Sequence, residues 1–357
     1  MVASRASISY ATFMFSWKSL PRPILALAPM ADMTDTPFCL MCKKFGNPIV
    51  FREMLSAEAL IRGNKKTWKM AAFDERERPI VLLIFGNDPA KMAEAARLLD
   101  ERLHPDGIDI NMGCPVHKIT ANFDGASLIK DPDRAAAIVK AVKAAVTIPV
   151  SVKTRLGWND KKDCLAFVRK QEEAGVDLIT IHGRTKEQGY TGKADWEAVG
   201  VARRTIPNVP FLVNGDIVDA TTAKRALEIT GADGVMIGRG ALGNPWVFGK
   251  ITNSIRTPLS LPFARGERIN SLSPPYLPCR QAGEGGGRGG SGLSRERICS
   301  AVLEHARLQI AHYGEEAGMK KLRKHLPFYF KGDARYKDLR SKLVRVSTLA
   351  ELQAALG

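Results

Sequence analysis

The sequence predicts an α/β chain, a (β/α)8 barrel followed by a small all-helical C-terminal domain. Eight short apolar runs recur within the first 240 residues, segments with helical apolar spacing lie between them, and polar residues gather just after the runs. Eight such alternations over about 215 residues match the size of one barrel. The first run, Ile24–Ala28, ends on Pro29, Met30 and Ala31, and the second is Ile49–Glu53. Ile80–Phe85 carries Leu83, and Gly107–Asn111 leads into Cys114. Ile148–Lys153 delivers Lys153 and then Arg155, and Asp177–His182 delivers His182. Val209–Asn214 opens into Gly215 and Asp216, and Asp233–Gly238 into Arg239. The helical pattern is clearest at Pro89–Leu99, Arg134–Ala145, Asp163–Ala174 and Ala220–Ile229.

In such a barrel chemistry belongs to the carboxyl ends of the strands, and here those ends hold Asn, Cys, Lys, Arg, His and Asp. Asp109-Ile110-Asn111-Met112-Gly113-Cys114-Pro115 is a buried strand breaking into a Gly-containing turn, which puts one thiol at the mouth. A lone cysteine is ordinarily a small buried hydrophobe; the polar company at the other strand ends makes Cys114 the candidate for chemistry. Asn214-Gly215-Asp216 and Gly238-Arg239-Gly240 follow the last two strands, where barrels build phosphate sites from backbone N–H groups and a helix start. A phosphorylated ligand is the expectation there, with Arg239 as a planar charged donor.

The chain resembles the tRNA-dihydrouridine synthases on six motifs in order: Leu27–Asp35, Asp109–Pro115, Val152–Trp158, Thr180–Thr185, Val213–Ile217 and Met236–Gly240. The likeness resumes over Glu304–Leu326. The resemblance implies an FMN-dependent barrel in which NADPH reduces the flavin, hydride passes to C6 of a uracil in tRNA, and Cys114 protonates C5. It implies Pro29, Met30, Ala31, Leu83, Lys153 and His182 around the flavin ring, and Asn214, Gly215, Asp216, Gly238 and Arg239 at its phosphate. Asn111 and Arg155 would face the uridine, which must be flipped out of the folded RNA to reach the pocket. An unperturbed thiol, with a pKa of about 8.5, is mostly protonated at neutral pH and can act as a general acid. One position departs from the family, which presents glutamine to the flavin edge where this chain has Leu83.

Lys and Arg number 53 against 37 Asp and Glu, a net charge of +16, the footprint of a polyanion binder. From Lys250 onward stand 19 Lys/Arg and 9 Asp/Glu, with Lys320, Lys321, Arg323 and Lys324 in the densest stretch, the candidate tRNA contacts. Composition divides the chain into an N-terminal extension (1–20), the barrel (21–250), a Gly/Pro/Arg-rich linker or insertion (258–294) and a helical domain (295–357), the last read as helices over Arg295–Gly314 and Met319–Leu356. Six scattered cysteines and the lack of a signal peptide or membrane span fit a reducing cytoplasm, and the lone Cys39-Leu40-Met41-Cys42 pair is not expected to bind metal. Three alternatives compete: an FMN reductase of a free pyrimidine, which needs no basic domain; an RNA-binding relic without flavin, suggested by Leu83; and a Schiff-base aldolase on Lys153, which leaves Cys114 unexplained.

Overall fold

The computed structural model describes residues 15–255 and 293–357, so the expectations for 1–14 and for 258–292 lie outside the described residues. The chain divides into two compact units, Met1–Gly249 and Lys250–Gly357.

The first unit is a closed parallel barrel. Its strands are β1 (Ile24–Leu27), β2 (Ile49–Phe51), β3 (Leu55–Ser56), β4 (Ile80–Phe85), β5 (Gly107–Met112), β6 (Val150–Arg155), β7 (Leu178–His182), β8 (Phe211–Asn214) and β9 (Gly234–Ile237). The order runs β2-β1-β9-β8-β7-β6-β5-β4, and pairing of β2 with β4 closes the ring. β3, which the alternation in the sequence does not announce, continues β2 along β4. Phe51 pairs with Val81 and Leu55 with Ile84, so the stretch between β2 and β3 holds one residue more than its partner. That extra residue makes a bulge, a common device beside functional sites.

Inward-facing residues alternate with outward ones along each strand. At the floor Ile24, Ala26, Ile49, Phe51, Val81, Leu178, Leu212 and Met236 form one apolar cluster with Trp17. The indole is 2% exposed and stacks on Phe51 at 5.9 Å, while Phe15 meets it edge-on. Within the expected extension, Trp17 thus packs into the lower end of the barrel with Phe15 and Leu20 against it, where a ring of this size fills the open end of an eight-stranded barrel.

A repeated device fixes the strand entrances. Asp106, Asp177 and Asp233 each stand just before a strand and accept from the first N–H of the strand before it, Ile80 at 2.7 Å, Val150 at 2.8 Å and Phe211 at 2.8 Å. Aspartates also start the helices: Asp88 and Asp131 cap Pro89–Leu103 and Pro132–Ala145, each with proline at the first helical position, where its missing N–H costs nothing.

In the second unit Arg295–Tyr313 is a long helix, as expected. The expected Met319–Leu356 stretch is corrected to four short helices: Glu315–Leu322, which begins before Met319, Leu326–Tyr329, Lys337–Leu343 and Leu349–Leu356. The breaks have local causes. Pro327 restricts the first turn of one, Gly332 sits at φ +90°, and Thr348 caps the last by accepting from Glu351 N at 3.2 Å. No described helix is long and apolar enough to cross a membrane.

Candidate functional site

Parallel register carries the polar strand ends to one rim. Asn111 pairs with Lys153, Arg155 with His182, and His182 with Asn214. Neighbours in register share the inner face, so these side chains meet at the mouth.

Cys114 is half-buried and its loop is built around it. Asn111 Oδ1 accepts from Gly113 N at 3.1 Å and Cys114 N at 3.0 Å, so the end of β5 folds back on itself. Arg155 Nε donates to Gly113 O at 2.7 Å, and its Nη1 to Gly189 O at 2.8 Å and Thr185 O at 3.1 Å, tying this loop to the one after β7. From behind, Gly125, at φ +61°, leaves 3.0 Å between a hypothetical Cβ and Cys114 O, too close for most side chains. Asn111 and Arg155, expected to face a substrate, thus also position the thiol. Burial pushes the Cys114 thiol up, against the lowering pull of Val116 N–H, Arg155 and Lys153, so it stays protonated at neutral pH.

Lys153 is half-buried at the end of β6; burial and then Arg155 lower its pKa to about 8. His182 is 7% exposed, and burial, Lys153, Arg155, Arg184 and Arg239 hold it far below the usual imidazole range, hence neutral. Its Nε2 lies 3.2 Å from Arg184 Nη1, an arrangement in which a neutral ring accepts. One layer down, Asp109 is fully buried beside Leu83, with which it pairs in register. Leu83 has no donor to offer, and Asp109 Oδ2 has no hydrogen-bond partner; on β7, in register with Lys153, Thr180 Oγ1 also has none.

The loops after β7 and β8 are knitted by Arg184, which the sequence reading did not single out, and Arg239 of the loop after β9 stands 3.5 Å from the same Asp216 carboxylate. Arg184 Nη2 donates to both oxygens of Asp216 at 2.8 Å and to Gly192 O at 2.7 Å, and Asp216 Oδ2 also accepts from Ala194 N at 2.7 Å. The Asp216 carboxylate, expected at a phosphate, is therefore engaged in shaping the loop. An arginine two residues after a strand-end histidine was the available signal. Gly215 sits at φ +114°, and a Cβ there would stand 2.9 Å from Ala194 Cβ and 3.0 Å from His182 Cδ2, so only glycine fits. Asn214 Nδ2 donates to Met236 O at 2.8 Å, and Gly238 lies against Met30, whose Sδ would be 3.6 Å from a Cβ on it. Beyond this frame Arg239, 54% exposed in its side chain, opens the 3-10 turn Arg239–Ala241, whose first N–H groups have no partner within the turn. Tyr190, exposed, spans Arg155 and Arg239, 5.4 and 5.1 Å from its ring. The donors suit a phosphate, and the neutral imidazole and the lysine suit the edge of a planar heterocycle; the residues present fit FMN.

Cys39 and Cys42 are buried in the helix Thr36–Gly46, where desolvation raises both thiols and leaves them inert. In the C-terminal unit Lys320 and Lys324 are exposed, while Lys321 lies over the Tyr313 ring at 4.7 Å. Arg323 is half-buried, donating through Nε to Val346 O at 2.8 Å. Arg323 is thus partly a structural tie, and the exposed cations continue instead through Lys337, Lys342 and Arg345.

Comparison with known proteins agrees with this frame. The family described as "Dihydrouridine synthase (Dus)" matches residues 26–357. A relative from Rhodobacter capsulatus named "Probable tRNA-dihydrouridine synthase" is 38% identical over 94% of this chain and 95% of its own. One from Pseudomonas aeruginosa named "tRNA-dihydrouridine synthase B" is 34% identical over 85% of this chain and 83% of its own. A solved 2-naphthoyl-CoA reductase complex shares the fold at a TM-score of 0.50 and 12% identity, over 64% of this chain and 50% of that one. On the match across nearly its whole described length, the chain belongs to the dihydrouridine synthase family.

Proposed function

We propose that this protein reduces the C5–C6 double bond of a uridine in tRNA to dihydrouridine, with FMN as cofactor and NADPH as reductant. The observation that carries the reading is the place of Cys114, on a loop whose backbone Asn111, Arg155 and Gly125 hold at the mouth of a barrel whose other strand ends suit a flavin. Arg239 with the N–H groups of its turn, together with the Gly215 loop, would hold the phosphate. Lys153 and His182 would border the ring with Pro29, Met30 and Ala31. FMN, when bound, supplies the hydride to C6.

The chain's own residues do the rest. Cys114 donates a proton to C5, and its raised pKa keeps that proton available at neutral pH. Lys153 adds positive charge where negative charge develops. The basic residues of the C-terminal unit bind the RNA phosphates. Nothing in the barrel rim requires a free pyrimidine, and the +10 carried by residues 250–357 favours tRNA as substrate. The test is a titration of flavin-free protein with FMN, followed by fluorescence quenching. Saturable binding that weakens about tenfold or more in Arg239→Ala supports the reading, since a charge-assisted contact contributes roughly 1.5–3 kcal/mol; a protein that ignores FMN contradicts it.

A further inference from the structure

Asp109 is a buried ionisable group that the mechanism leaves unused. Asp109 sits inside the barrel, 0% exposed, two residues before Asn111 on the same face of β5. Its Oδ1 accepts from Ser151 Oγ at 2.6 Å, while Oδ2 has no partner. A buried carboxyl facing hydrocarbon on one side is costly to place there, and a site retaining one invites a role beyond packing.

The surroundings narrow that role. From β4 Asp109 faces Leu83, and from β6 it faces Ser151 and, one inward position further on, Lys153. Among these Lys153 is the charged group, and a lysine stem is long enough to span a diagonal pair on one sheet face. Lys153 in turn feels Arg155, which disfavours its charge, and Asp109 and Cys114, which favour it.

We propose that Asp109 is a positioning residue that balances the charge of Lys153, ionised while the mouth holds no anion and protonated once an anion stands against the lysine. The inference rests on the flavin reading above, in which that anion is the reduced ring. Reduction by two electrons and one proton leaves one negative charge on the ring. Lys153 turns its field to that charge, and the Asp109 carboxylate takes one proton from solvent, forming an O–H bond, so the buried charge count is unchanged. A carboxyl already pushed up to about 7, chiefly by burial, needs only a small change in field to cross neutral pH. A permanently ionised aspartate or an asparagine cannot do this. The arrangement makes flavin reduction take up an extra proton, and it keeps Lys153 aimed at the mouth in both states.

Infrared spectroscopy reads the carboxylic acid directly through its carbonyl stretch, and Asp109→Asn assigns the band by removing it. In the flavin-free protein the band of Asp109 titrates, and Lys153→Gln moves its midpoint up by about one pH unit or more, because a nearby opposite charge lowers a carboxyl by 1–3 units; Lys153→Arg, which keeps the charge, leaves it in place. An unmoved midpoint in Lys153→Gln, with circular dichroism showing the variant folded, overturns the pairing. In FMN-loaded protein at about pH 7, chemical reduction with dithionite makes the Asp109 band grow. A band that does not grow on reduction overturns the proposal. A protein that takes no FMN defeats the flavin reading instead, and the Lys153→Gln titration alone then decides whether the pair exists.

Discussion

At the floor of the barrel Asp106, Asp177 and Asp233 each accept from a strand's first N–H and each meet a cation, Arg78 at 3.2 Å, Lys143 at 2.7 Å and Arg203 at 3.3 Å. At the mouth Lys153 is half-buried at a depressed pKa and His182 is held neutral among arginines, and one layer below them Asp109 has an oxygen without a hydrogen-bond partner. The same residue types stabilise one end and are left ready at the other. Satisfied hydrogen bonds and paired charges lock the strand entrances, whereas the strand exits carry groups whose protonation or partners can change when a ligand arrives. The difference also shows in the backbone. The floor is closed by an indole, whereas the loops at the mouth carry glycines at positive φ, among them Gly125 and Gly215.

Substitutions at the two ends should therefore separate activity from stability. Cys114→Ala at the mouth is expected to lower dihydrouridine formation by about 10²–10⁴, the range for a lost general acid, while FMN affinity and unfolding midpoint stay at parent values. Asp233→Ala at the floor is expected to do the reverse, costing about 1–3 kcal/mol in urea unfolding because Phe211 N loses its acceptor, with activity per folded molecule unchanged. If Asp233→Ala lost activity without losing stability, the contrast between the ends would fail.

Two smaller effects sharpen it. Leu83→Gln puts a donor beside Asp109 and, on the family's pattern, beside the flavin edge; a satisfied buried group contributes about 1–3 kcal/mol, so FMN should bind roughly fivefold to a hundredfold tighter. Unchanged affinity with a lowered Asp109 titration would show that the amide stays with the carboxylate. Changing Lys320 and Lys324 together to alanine should flatten the salt dependence of tRNA binding by about one unit per lost phosphate contact, without touching FMN. An unaltered slope would assign RNA contact to other cations.

The barrel was legible because each strand is a short apolar run and each polar residue falls at its end, as Lys153 and His182 do. What periodicity could not show was local. β3 is two residues after a bulge, too short to carry an alternation. Trp17 reads as an isolated aromatic in a polar tail until the barrel floor supplies its pocket. The last helices merge into one pattern because Pro327, Gly332 and Thr348 break it without interrupting the apolar spacing for long. At the site, residue identity pointed to Cys114, but not to the fact that Asn111 and Arg155 hold its loop, or that the Asp216 carboxylate belongs to Arg184. Asn111 meets Cys114 N in a turn of three positions, whereas Arg155 with Gly113 and Arg184 with Asp216 lie 42 and 32 positions apart and come together only because their parallel strands end at one rim.

The most direct test of the account is to incubate the FMN-loaded protein with NADPH and an unmodified tRNA transcript, then to identify the nucleosides by mass spectrometry. The account predicts dihydrouridine in the transcript, abolished or nearly so in Cys114→Ala, and no comparable reduction of free uracil. Equal reduction of free uracil, or a transcript left unmodified by protein that binds both FMN and tRNA, would contradict it.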